Sequence, residues 1–195
     1  MAMYPAIAAT SEAILGLLQN AGAGGEFNGV TFAHYQASDF QAPMTQGISL
    51  YLYRVTVNAN RNLPGRLGPD GRRTRPPVPL DLHYLVTAWA PDASRQQRML
   101  GFAIRTIEDT PILPSGVLNQ QTPEGNVFRP EETVEIVYEG VSVQDFAYIW
   151  DIAQTKEQPS ATYVARMVEL DSPIVVSEGA PVQTRAFDYV GVTSQ

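Results

Sequence analysis

His34 and His83 are the only imidazoles in the chain, so they are the first residues to test for chemistry. A zinc centre needs three or four converging ligands, and it usually shows itself by short His, Cys or carboxylate spacings. The two histidines lie in distant segments and the chain has no cysteine, so no metal site is expected. The missing thiols also rule out a disulfide framework and a cysteine nucleophile. His83 stands two residues from Asp81 in a segment with strand periodicity. Both then fall on one face, which allows a local His–Asp pair, but a hydrogen-bonded histidine in or near the core is the expected reading. The Gly-x-Ser-x-Gly elbow that would present a serine to such a pair is absent.

Gly22, Gly24, Gly25 and Gly29 resemble a phosphate loop only in composition. A phosphate loop follows a strand and opens a helix, whose first N–H groups then face the anion. Here a helical pattern precedes the glycines, a strand pattern follows them, and no Lys-Ser or Lys-Thr accompanies them. They read as a turn. Glu131, Glu132, Glu135 and Glu139 are numerous enough for acid–base chemistry, but Glu135 and Glu139 alternate along a strand. A solvated or partner-facing edge explains them better. No catalytic, cofactor-binding or metal-binding residue is expected, and the chain reads as non-enzymatic.

The strongest functional signal is a run of arginines. Arg61, Arg66, Arg72, Arg73 and Arg75 lie among glycines and prolines in a loop over residues 59–79. Lys156 is the one lysine among thirteen basic residues. Arginine is favoured in interface ion pairs because its planar fork grips a carboxylate with two hydrogen bonds. The loop carries no aromatic side chain to stack on bases, and the net charge of −7 argues against a nucleic-acid partner. Charge is also split along the chain: residues 54–105 sum to +6 and residues 106–195 to −10. Arginines of one copy could meet Glu131, Glu132 and Glu135 of another. A solvated, flexible loop remains the competing reading.

The elements that must hold these residues follow from periodicity. Pro5–Asn20 reads as a helix with Ile7, Ile14, Leu15 and Leu18 at helical spacing. Strands are expected at Val30–Tyr35, Ile48–Asn58, Leu80–Ala90, Thr133–Tyr138 and Ala161–Leu170. In the second of these, Ile48, Leu50 and Leu52 face one way and Tyr51, Tyr53, Val55 and Val57 the other. A sheet covered on both faces is implied. Ser94–Asp109 reads as a helix burying Met99, Leu100, Ala103, Ile104 and Ile107, stopped by Pro111 and Pro114. Ser115–Pro130 reads as a linker. Ser142 opens a third helix, with Asp145 in a variant capping box and Phe146, Ile149, Trp150 and Ala153 facing inward.

The fold class expected is α/β (α+β): a mixed, largely antiparallel sheet with about three packed helices, an extended loop and a C-terminal arm. Residues 1–171 form the domain and residues 172–195 a strand or arm. The N-terminal segment has no basic residue before Asn20, so no signal peptide is expected, and Ala13–Leu18 is too short to span a bilayer. Synthesis and folding in the cytoplasm, without membrane insertion, are expected.

From Pro76-Pro77-Val78-Pro79-Leu80-Asp81-Leu82-His83-Tyr84-Leu85-Val86-Thr87-Ala88 onward, the sequence resembles the cap, or tail-terminator, family of antifeeding-prophage-type contractile injection systems. Gln97-Arg98-Met99-Leu100-Gly101, Ile107 and Thr110-Pro111-Ile112-Leu113 continue the resemblance in order. Ser142-Val143-Gln144-Asp145, Trp150 and Pro159-Ser160-Ala161-Thr162-Tyr163 extend it, so that it covers roughly residues 5–171. The resemblance implies a tail-terminator-like fold and a homohexameric ring at the far end of a phage-tail-like particle. The ring would end and join the inner tube and the sheath, with the tube protein, the sheath protein and other copies of itself as partners and no cofactor. An adaptor that anchors the particle to a membrane or a partner protein is the alternative.

Overall fold

The computed structural model describes residues 4–60, 62–68, 71–120, 122–123 and 125–176. In chain order the elements are α1 (Ala6–Gly22), β1 (Thr31–Tyr35), a 3-10 helix (Ala37–Gln41), β2 (Gly47–Val57) and β3 (Val78–Trp89). Then come α2 (Ala93–Asp109), β4 (Ile112–Pro114), the single-turn α3 (Ser115–Leu118), β5 (Thr133–Tyr138), α4 (Val143–Ala153) and β6 (Ser160–Leu170). One six-stranded sheet runs in the order β1-β2-β3-β6-β5-β4. Only the β1–β2 pair is parallel. The mixed, largely antiparallel sheet is therefore as expected.

The sheet is covered on both faces, as the two-sided apolar pattern requires. One face packs on α1 and α2, where Ala9, Ile14, Leu18, Met99, Ala103 and Ile107 meet Leu50, Leu82, Tyr84 and Ala165. The alanines of α1 allow close approach: Ala6, Ala9 and Ala13 are buried to 1% exposure or less. The other face holds a smaller aromatic core of Phe40, Leu85, Trp89, Ile149, Trp150 and Ala153. Phe40 meets Trp150 edge-on, with ring centroids 5.6 Å apart. Trp89 brings its indole N–H to Ser49 Oγ at 2.8 Å, so the ring is buried without an orphaned donor.

The caps are chemical. Asp92 accepts from the backbone N–H of Arg95 at the start of α2, and Ser142 accepts from that of Asp145 at the start of α4. The buried stripe of α2 is Met99, Ala103 and Ile107, with Leu100 and Ile104 at its margin.

Several expectations are corrected. The pairing of β2 with β3 slips between Leu52 and Arg54, so Tyr53 is an extra residue. A one-residue slip exchanges the faces of everything beyond it. Val55 and Val57 therefore pair with Leu82 and Leu80 and lie on the α1 side, not beside Tyr51 and Tyr53. The expected linker after Pro114 opens with α3, and Ile112–Pro114 is itself a strand, because Leu113 is fully buried against β5. The 3-10 helix carrying Phe40 had no periodic signature.

Asp81 does not pair with His83. A second slip, between Leu80 and Leu82 where β3 meets β6, leaves Asp81 facing the bulged residue Met167. Met167 has a positive φ of 59°, costly for a side chain of this kind, and its N–H donates to Asp81 Oδ1 at 3.2 Å. Asn58 Nδ2 donates to the same carboxylate at 2.9 Å. Asp81 is occupied in closing the bulge.

Candidate assembly surface

The arginine loop is ordered by its own backbone. Leu67 bridges Arg73, Gly68 N donates to Arg72 O at 2.8 Å, and Thr74 N donates to Arg66 O at 2.8 Å. The loop is a short hairpin. Its outer rung takes up the chain that follows β6: Arg75 N donates to Ile174 O at 2.9 Å, and Val176 N to Arg73 O at 2.7 Å. Residues 174–176 thus act as a third short strand, laid on the hairpin. Residues 177–195 of the expected arm, and Arg61, lie outside the described residues.

Arg66 faces inward. Its Nε stands 2.8 Å from Asp171 Oδ1, an Nη stands 2.9 Å from Glu132 Oε1, and the same Nη meets Glu169. Asp171 also receives Arg129 Nη2 at 2.8 Å, and Glu132 caps the Arg129 N–H at 2.7 Å. Burial pulls the guanidinium pKa down, but the carboxylates of Asp171, Glu169 and Glu132 outweigh it and hold the pKa above its ordinary value. Two of the residues expected on an intermolecular surface, Arg66 and Glu132, therefore meet inside one chain. They fix the base of the hairpin to β6 and to the segment leading into β5.

The other expected residues are placed differently. Arg72, Arg73 and Arg75 are exposed along the hairpin and its outer rung, and Glu131 and Glu135 are exposed as well. Glu135 stands opposite Arg166 in the β5–β6 register. Glu131 rims an open recess of about 290 Å³ that Arg66, Glu132 and Glu169 also line. The loop therefore presents three arginines outward on a base held by a fourth.

A second polar cluster escaped the sequence. His83 Nδ1 lies 2.8 Å from Glu139 Oε2, and Nε2 lies 3.0 Å from Thr56 Oγ1. The Arg54 guanidinium lies 3.3 Å from the ring, and Tyr53 donates its O–H to Glu139 at 3.1 Å. Burial and the Glu139 charge raise the Tyr53 pKa well above its ordinary value. Hydroxyl, imidazole and carboxylate stand in the order of a hydrolytic relay. However, Arg54 lies against the ring, His83 is buried, and Tyr53 and Arg54 share the carboxylate. The cluster ties β2, β3 and the β5–α4 connection together. The bulge at Tyr53 brings Arg54 opposite His83, and no glycine or proline announced that bulge. His34 sits apart, 3.2 Å from Glu12. Among the described residues no group of His, Cys, Asp or Glu could hold a metal ion, and no helix is long and apolar enough to cross a membrane.

With the geometry in hand, comparison with known proteins is direct. The sequence matches the Pvc16 N-terminal domain family over residues 9–184. The chain belongs to that family. No curated protein matches it. Among solved structures, this Pvc16-type chain is similar to the PVC sheath/tube terminator of an extracellular contractile injection system in its extended state. The TM-score is 0.58 at 14% identity, over 97% of this chain and 63% of that one. It is also similar to the tube-terminating cap of the anti-feeding prophage, with TM-score 0.51 at 16% identity, over 92% of this chain and 60% of that one. The fold is thus that of tail terminators, and the chain spans about three fifths of the length of each.

Proposed function

We propose that this Pvc16-type domain is a structural, non-enzymatic cap that ends a phage-tail-like particle. The observation that carries the reading is the terminator fold across 97% of the chain, joined to membership of the Pvc16 N-terminal domain family. Residues 1–171 serve as the capping domain and residues 172–195 as a C-terminal strand or arm. The cap is a ring of six copies that contacts the tube protein and the sheath protein and joins the two. It folds in the cytoplasm and leaves it as part of the particle or by lysis. A terminator must match one face of a tube or sheath ring and deny the next ring its docking face. Shape, strand edges and ion pairs do that work, and neither nucleophile nor cofactor is needed. The outer edges of β1 and β4 are the places where a strand of a partner can add to this sheet, and the arm that follows β6 can add to the sheet of a partner.

The test is the length of the particle. Deleting the gene should give tubes and sheaths of uncontrolled length, or particles that fall apart. Normal length and full contraction in the deletion strain would sink the reading.

A further inference from the structure

We infer that the arginine hairpin of one copy docks on α4 of the next. The inference rests on the proposed ring and names the two surfaces that close it. The hairpin lies at one end of the sheet, and α4 lies on one of its faces. The hairpin joins the end of β2 to the start of β3, whereas α4 packs on Leu85 and Trp89 near the end of β3. Leu85 lies seven residues along β3 from Val78, about 23 Å, so the hairpin does not reach α4 of its own chain, and that of a second copy can.

Both surfaces expose apolar side chains. On α4, Ile152 is 70% exposed one turn from Tyr148, itself 54% exposed, and Val143 opens the helix at 89% exposure. At the hairpin end, Leu67 is 66% exposed, and Val57, Val78 and Val175 are each about half-exposed. Adjacent exposed apolar groups, such as Tyr148 and Ile152 at i, i+4 on α4, mark contact surfaces. The surfaces are complementary in charge. The hairpin exposes Arg72, Arg73 and Arg75, whereas α4 and the turn after it expose Asp145, Asp151 and Glu157 against the single base Lys156. An apolar centre ringed by arginine and carboxylate is the composition of a protein–protein contact. Because the two patches differ, the contact is head-to-tail, and a head-to-tail contact closes into a ring when its rotation allows.

The chain has no cysteine, which makes the test direct. A full-length Leu67→Cys, Ile152→Cys double variant is built into particles and oxidised mildly. A ladder of disulfide-linked copies ending at six is expected, with no ladder from either single variant. Arg75→Glu should weaken self-association at least tenfold, and Asp151→Arg added to the same chain should restore it. Circular dichroism checks that each variant is folded. A ring of normal mass without the ladder, or without the charge-swap rescue, overturns this inference and leaves the cap standing. Loss of the cap itself would be seen separately, as unchanged particle length in the deletion strain.

Discussion

Arg66 and Asp171 stand 2.8 Å apart, and through them the arginine hairpin is anchored to the end of β6. Asp171 is almost wholly buried and holds a second guanidinium, Arg129. Removing one member of such a cluster leaves its partners charged and without their bonds, which costs about 3 kcal/mol. Arg66→Met should lower the melting temperature and free the hairpin, seen as faster amide exchange at Thr74 and Val176. Arg75→Glu, on the exposed rung, should change stability by no more than about 0.5 kcal/mol. Equal stability of the two variants would mean that Arg66 anchors nothing.

His83 is expected to hold the structure together without doing chemistry. In the neutral ring Nδ1–H donates to Glu139 and Nε2 accepts from Thr56, so His83→Gln keeps part of the pattern and costs about 1 kcal/mol. His83→Leu deprives Glu139 of a donor and costs about 2 kcal/mol or more. Both should still cap particles of normal length. A folded His83→Gln variant that assembles correctly yet abolishes particle function would give the imidazole a chemical role.

Much of this was legible in the sequence because it depends on period. The helical repeat of Ile14, Leu15 and Leu18 marked the buried face of α1, and the apolar residues on both sides of Ile48–Asn58 implied a sheet covered on both faces; the structure keeps both. The N-cap at Ser142 was legible because hydroxyl and acid sit at the required spacing, although Asp145 accepts from the Ser142 hydroxyl and not from its N–H as the full capping box would have it. The bulges at Tyr53 and Met167 were not, because a slip in pairing depends on both strands and neither site carries a glycine. The inward turn of Arg66 was hidden for a similar reason. Its partners Glu132, Glu169 and Asp171 are brought to it by the order of strands in the sheet. Composition could only place all five arginines on one loop.

Tyr84 gives the fold a pH dependence. Burial raises its phenol pKa well above its ordinary value, with the Ser11 hydroxyl acting weakly against the shift. A folded value above the unfolded one, about 10, contributes stability that is fully present below that pH and is lost as the pH rises through the folded value. Tyr84→Phe should therefore lose less stability than the parent between neutral and strongly alkaline pH. At neutral pH it gives up the 2.8 Å bond to Ser11, at about 1 kcal/mol, since Ser11 keeps its bond to Ile7 O. Tyr53 and Tyr163 are raised as well, so the alkaline slope should flatten without vanishing. Denaturant melts across the pH range measure this, and a slope unchanged by Tyr84→Phe would refute it.

Gly65 separates the hairpin from the core most cleanly. A Cβ there would stand 2.1 Å from the backbone carbonyl oxygen of Thr74, the residue whose N–H closes the hairpin onto Arg66. The obstacle is main chain and cannot swing away as a flexible side chain would. The backbone of Gly65 is not in the left-handed region, so alanine meets no conformational penalty and the whole effect is steric. Overpacking of this kind costs about 1–3 kcal/mol, unless the hairpin lifts off its seat and gives up its rungs. Lifting displaces Arg72, Arg73 and Arg75 together and also releases residues 174–176. Gly65→Ala should therefore leave the helix and sheet signals of circular dichroism intact, while it accelerates proteolysis within the hairpin and weakens ring formation. Wild-type assembly together with increased proteolysis would show that the hairpin can leave its seat at no cost to the ring, and would rule it out as the docking element.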